Sequence, residues 1–61
     1  MNGKQVIAKL KSAGWQVLRV EGSHHQLGKD GPRTSVPVHG TKDLKPGTIA
    51  GIQCQTGVML K

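Results

Sequence analysis

The chain opens with apolar residues recurring at helical spacing, Val6, Ile7, Leu10 and Ala13, with Lys4, Lys9 and Lys11 on the other faces. Asn2 can cap such a helix, and Gln5 stands three residues on, where the reciprocal partner of a capping box belongs. Gly14 supplies the stop, because glycine tolerates the left-handed backbone that follows a helix's last turn. The period then changes. Residues 15–21 alternate and are rich in strand formers, with Trp15, Val17 and Arg19 expected on one face and Gln16, Leu18 and Val20 on the other. Gly22-Ser23 is a two-residue turn, so residues 24–29 read as an antiparallel return strand. Asp30-Gly31-Pro32 is a second turn signal. A third strand over residues 33–38 follows, with Val36 and Val38 sharing a face. Pro37 cannot donate to a ladder and marks an edge or a strand end. After the loop His39-Gly40-Thr41, Pro46 suits the first turn of a second helix reaching to about Gln55, with Ile49 and Ile52 inward. Gly51 inside that helix costs about 1 kcal/mol relative to alanine. Gly57 ends it, and Val58, Met59 and Leu60 form an apolar tail that packs back or meets a partner.

The expected class is therefore α+β with order α-β-β-β-α: a three-stranded antiparallel sheet with both helices on one face, forming one domain over residues 1–61. The other sheet face is left to solvent. That layout is similar to the double-stranded-RNA-binding domain, although a fold does not by itself define a function. A chain this short buries only about 60% of the surface it exposes when unfolded. Its core must be thin, made of Val, Ile and Leu with Trp15 as the largest piece, and its function is expected to lie on a surface rather than in a deep pocket.

Charge narrows the partners. Nine Lys and Arg against three acidic residues give a net charge of +6 with neutral histidines. Such a balance favours polyanions, with nucleic acid first and an anionic membrane second. No apolar run approaches the roughly 20 residues of a membrane span. No helix-period stretch is strongly cationic on one face and bulky-apolar on the other, which argues against membrane-surface binding. The opening Met-Asn-Gly-Lys-Gln lacks the apolar stretch of a signal peptide. Cys54 is the only cysteine and has no internal disulfide partner, which suits a reducing cytoplasm; it is expected to be a small buried hydrophobe.

Candidate chemistry centres on Gly22-Ser23-His24-His25-Gln26. Cleaving RNA without a metal requires a base for the 2′-hydroxyl proton and an acid for the leaving oxygen, and imidazole suits both roles. Nearby cations would stabilise the charge on the phosphorane-like transition state; Arg19, Lys29, Arg33, Lys42 and Lys45 are the candidates for RNA contact. Leu27 is the only large apolar residue of its strand, so it should face the helices. His25 then shares its face, while His24 and Gln26 point to the open side, provided no bulge follows Gly22. Spacing alone favours the plainer reading, two ordinary strand histidines beside a turn. His39 reads as a phosphate contact, a second proton-transfer group or simply a loop histidine. Ser23 and His24 are expected on opposite faces, which argues against a serine hydrolase. No metal-site spacing joins His24, His25, His39 and Cys54, and no cofactor is called for. Trp15 just after a helix stop reads as core rather than as a base-stacking platform.

Four segments lie in a familiar order: Gly-Trp at 14–15, Gly-Ser-His-His at 22–25, Val-Pro-Val-His-Gly at 36–40, and Lys-Asp-Leu-Lys-Pro-Gly-Thr-Ile at 42–49. Together they resemble the HicA toxins over nearly the whole chain. The resemblance implies a ribosome-independent endonuclease acting on single-stranded mRNA, held inactive by a HicB-type antitoxin. It implies His24 as the catalytic histidine; the residues themselves add His25, His39 and Ser23 as candidates for catalytic support. Two other readings remain at this stage. One is a non-catalytic RNA-binding module of the same fold, for which loss of His24 would matter little. The other is a protein-interaction domain whose positive charge meets an acidic partner.

Overall fold

The structure is a computed structural model that describes residues 1–60. Five elements follow the expected order: α1 (Gly3–Ser12), β1 (Gln16–Glu21), β2 (His24–Gly28), β3 (Arg33–Pro37) and α2 (Pro46–Thr56). Local chemistry defines both ends of α1. The Gln5 amide donates to Asn2 Oδ1 and the Asn2 amide donates to Gln5 Oε1, both at 2.9 Å, completing the capping box. At the other end Gly14 is left-handed, with φ +98°. The Trp15 amide donates to the Leu10 carbonyl at 2.9 Å and the Gly14 amide to that of Lys11 at 3.0 Å. These are the two bonds of a Schellman motif, and they deliver Trp15 to the core beside Leu10.

The strands form one antiparallel sheet in the order β1-β2-β3, so β2 is central. Gly22 has φ +59° while Ser23 stays on the negative side, the pattern of a type II′ hairpin turn that leaves Glu21 opposite His24. In the second turn Asp30 and Gly31 both have positive φ, as the Asp-Gly pair of a type I′ turn requires. Pro32 has no amide to donate, and the turn closes instead by the Lys29 amide on the Pro32 carbonyl at 3.0 Å.

Both helices cover one face of the sheet. Val6 and Leu10 from α1, Ile49 and Ile52 from α2, and Trp15, Leu27, Val36 and Leu60 make up the buried core. Leu60 thus packs back as one part of the apolar tail, while Met59 stays exposed. Thr34 is buried between Leu27 and α2, and its hydroxyl donates to Gln55 Oε1 at 2.8 Å, tying β3 to the helix. Trp15 is a core residue, as its position predicts.

Two expectations are corrected. Cys54 is exposed, not buried: it stands two residues past Ile52, about 200° around the helix, on the side away from the core. The strict alternation expected for residues 15–21 is also broken. Val17 pairs with Leu27, but Arg19 pairs with Gln26, so Leu18 is an extra residue in a β-bulge. Arg19 therefore leaves the face of Val17 for the open face, and Val20 moves the other way to stand opposite His25.

Candidate active site on the open face of the sheet

Register defines the open face. Leu27 and Thr34 pair and are buried towards the helices, so Gln26 with Ser35 and His24 with Pro37 point to the other side. On β1 the bulge brings Arg19 and Glu21 to this same face, opposite Gln26 and His24 respectively. Leu18 leans over the neighbouring strand: a Cβ added at Gly28 would lie 2.6 Å from Leu18 Cδ1, so glycine is what lets this side chain settle there. Leu18, Arg19, Glu21, Gln26 and Arg33 line a shallow recess of about 450 Å³.

His24 is exposed at the first position of the central strand, beside the rigid two-residue turn. Opposed side chains in such a pair have Cβ atoms about 5 Å apart, which brings Glu21 within reach of the same ligand. The Glu21 carboxylate accepts from Arg19 Nε at 3.1 Å. Both partners are largely exposed, so the bond orients the carboxylate more than it stabilises the fold. Arg19, paired two positions along from His24, stands about 7 Å away by strand rise, and Arg33, four positions along, about 13 Å away.

The other candidates are distributed differently. Ser23 lies in the turn, and its carbonyl accepts the Val38 amide at 2.7 Å. That bond holds the end of β3 against the turn and leaves His39, exposed, one residue beyond at the same end of the sheet. Lys42 and Lys45 are exposed in the segment leading into α2, which is anchored by the Leu44 amide donating to the Met1 carbonyl at 2.9 Å. Lys29 is not part of this grouping. It sits five residues along from His24, roughly 16 Å away, and its ammonium donates to the Ala13 carbonyl at 2.7 Å, at the C-terminal end of α1.

His25 faces the helix side, as its alternation with His24 predicts. Its Nδ1 is buried without a hydrogen-bond partner among the described residues. It lines a separate, mostly apolar cavity of about 300 Å³ with Ile7, Val17 and Val38, edged by Lys4 and Lys11. Among the described residues no three His, Cys, Asp or Glu side chains come together as metal ligands. Among the described residues no helix is long and apolar enough to cross a membrane. Sequence reasoning placed Gln26 on the open face with His24 but missed Glu21 as its direct neighbour. The two-residue turn at 22–23 was the available signal, since it makes residues 21 and 24 direct partners.

Fold and site together define a small basic α+β domain, laid out like a double-stranded-RNA-binding domain, with a histidine and two arginines on its open sheet face. A more specific identity comes from comparison: the sequence model of the HicA toxins of bacterial toxin–antitoxin systems matches residues 3–58, a span that contains all five elements, and the chain belongs to that family. It is thus a toxin of a toxin–antitoxin system, with an antitoxin as its partner. No curated protein and no solved structure gives a significant match.

Proposed function

We propose that this chain is a metal-independent endoribonuclease that cuts single-stranded mRNA, with His24 as its catalytic histidine and a HicB-type antitoxin as its inhibitor. The observation that carries this reading is an exposed imidazole on an open sheet face that also bears Arg19 and Arg33, in a member of a toxin family. A toxin this small must act on something essential through its surface. A net charge of +6 draws a polyanion to that surface. Imidazole transfers protons near neutrality, as cleavage at a 2′-hydroxyl requires. Arg19 and Arg33 are suited to hold phosphates along β1 and β3, with Lys42 and Lys45 extending the contact at the edge. A HicB-type partner with an acidic surface would silence the enzyme by covering His24 and this face.

The test incubates the purified chain and its His24→Ala variant with a long single-stranded RNA in EDTA, followed on a gel. Cleavage by the parent but not by the variant, with RNA binding retained by both, is the expected result. Binding by both without cleavage by either would replace the nuclease with an RNA-binding module of the same fold.

A further inference from the structure

We propose that Glu21 is the second proton-transfer group of this site, acting as general base while protonated His24 acts as general acid. The inference rests on the nuclease reading above and supplies what that reading lacks, since one histidine seldom performs both transfers in a single step. Three observations carry it. Glu21 is the direct cross-strand partner of His24 on the open face, which sets the Cβ atoms of two residues able to transfer protons about 5 Å apart. The Glu21 carboxylate accepts from Arg19 Nε at 3.1 Å, which orients it on that face. Glu21 also lines the recess of about 450 Å³ on that face, together with Arg19 and Gln26. Within the ladder beside the pair, no other side chain competes for the role. Beside the pair, β3 contributes Pro37 and Ser35, which carry no charge, and β2 contributes Gln26. His39, one residue past the Val38 amide bonded to Ser23, is the other titratable side chain at this end of the sheet, but it has no direct cross-strand pairing with His24.

The chemistry balances with these two groups alone. The Glu21 carboxylate takes the proton of a ribose 2′-hydroxyl, and O2′ forms a bond to the adjacent phosphorus. The P–O5′ bond breaks, its electron pair goes to O5′, and the His24 imidazolium gives that oxygen its proton. The upstream fragment ends in a 2′,3′-cyclic phosphate and the downstream fragment begins with a 5′-hydroxyl. Glu21 is left protonated and His24 neutral, and exchange with solvent restores both.

The experiment measures single-turnover cleavage of a single-stranded RNA in EDTA across a pH series, using the parent, Glu21→Gln, Glu21→Asp and His24→Ala, with RNA affinity measured alongside. Glu21→Gln is nearly isosteric at an exposed site, and its fold is checked by its thermal melt. The expected result is a bell-shaped profile for the parent. Glu21→Gln should lose about 100-fold or more in rate, with the acid limb flattened and affinity kept, and Glu21→Asp should recover part of the rate together with that limb. A Glu21→Gln variant that cleaves like the parent, or one that is slower with its acid limb unchanged, would overturn the assignment. His24→Ala would still abolish cleavage in that case, so the nuclease reading would stand. Absence of cleavage by the parent would instead remove the nuclease reading, and this inference with it.

Discussion

One substitution, glycine to alanine, should act with opposite signs at two positions of this chain. Gly3 is the first residue of α1, and a Cβ there would lie 2.5 Å from the Pro37 carbonyl oxygen and 2.9 Å from Val38 Cγ2. The first contact is with backbone, which cannot swing aside, so Gly3→Ala must lift the start of α1 off the end of β3. Overpacking of this kind costs about 1–3 kcal/mol. The whole domain is expected to be stable by only about 3–9 kcal/mol. Gly51 lies inside α2, where an added Cβ meets nothing within 4 Å. Gly51→Ala therefore removes only the backbone freedom of the unfolded chain, which should stabilise the protein by roughly 0.5–1 kcal/mol. In a domain of this size 1 kcal/mol moves Tm by about 4–8 °C. Melts followed by circular dichroism should place Gly3→Ala roughly 5–20 °C below the parent and Gly51→Ala about 2–8 °C above it. A Gly3→Ala variant melting at or above the parent would refute the seating of α1 against β3. A destabilised Gly51→Ala would show that α2 is not an uncrowded helix at that turn.

Two further expectations can be checked on the same material. Asn2→Ala removes the side-chain acceptor for the Gln5 amide, and urea unfolding should show a loss of about 1 kcal/mol. If Arg19 and Arg33 each hold a phosphate, Arg19→Ala and Arg33→Ala should each lower the log–log salt slope of single-stranded RNA binding by about 0.7; Lys29→Ala, whose ammonium is held at the Ala13 carbonyl, should leave that slope unchanged.

What could be read from the sequence was what neighbouring residues decide among themselves. The capping box of Asn2 and Gln5, the Gly14 stop, and the Gly-Ser and Asp-Gly turns each need only a few consecutive residues, and each is present in the structure. His24 and His25 separate to opposite faces because Leu27, three and two residues away, has to be buried. What escaped was non-local. Residues 15–21 alone do not single out Leu18 as the extra residue; its side chain settles over Gly28 on the next strand, whose missing Cβ leaves room for it. Cys54 was misread by its chemistry. Cysteine is usually buried, but its position relative to Ile49 and Ile52 turns it outward.

The bulge also answers a conflict already written into the first strand. Trp15, Val17, Arg19 and Glu21 all fall on odd positions, so an unbroken strand would turn two residues that need burial and two that need water to the same face. Burying a charge costs several kcal/mol even when it is paired, whereas one extra residue disturbs only a single step of the ladder. Inserting Leu18 after Val17 lets Trp15 and Val17 pack inward and sends Arg19 and Glu21 outward. Register shifts as a consequence. Extending the pairing of Val17 with Leu27 without a bulge would set Val20 against His24 and leave Glu21 in the turn; the observed pairing sets Glu21 against His24 and Val20 against His25. The same step leaves Leu18 53% and Val20 55% exposed, two apolar side chains held in water on opposite faces of an edge strand. A carboxylate, an imidazole and an arginine thus share the open face because the strand could not otherwise bury its tryptophan without also burying its charges.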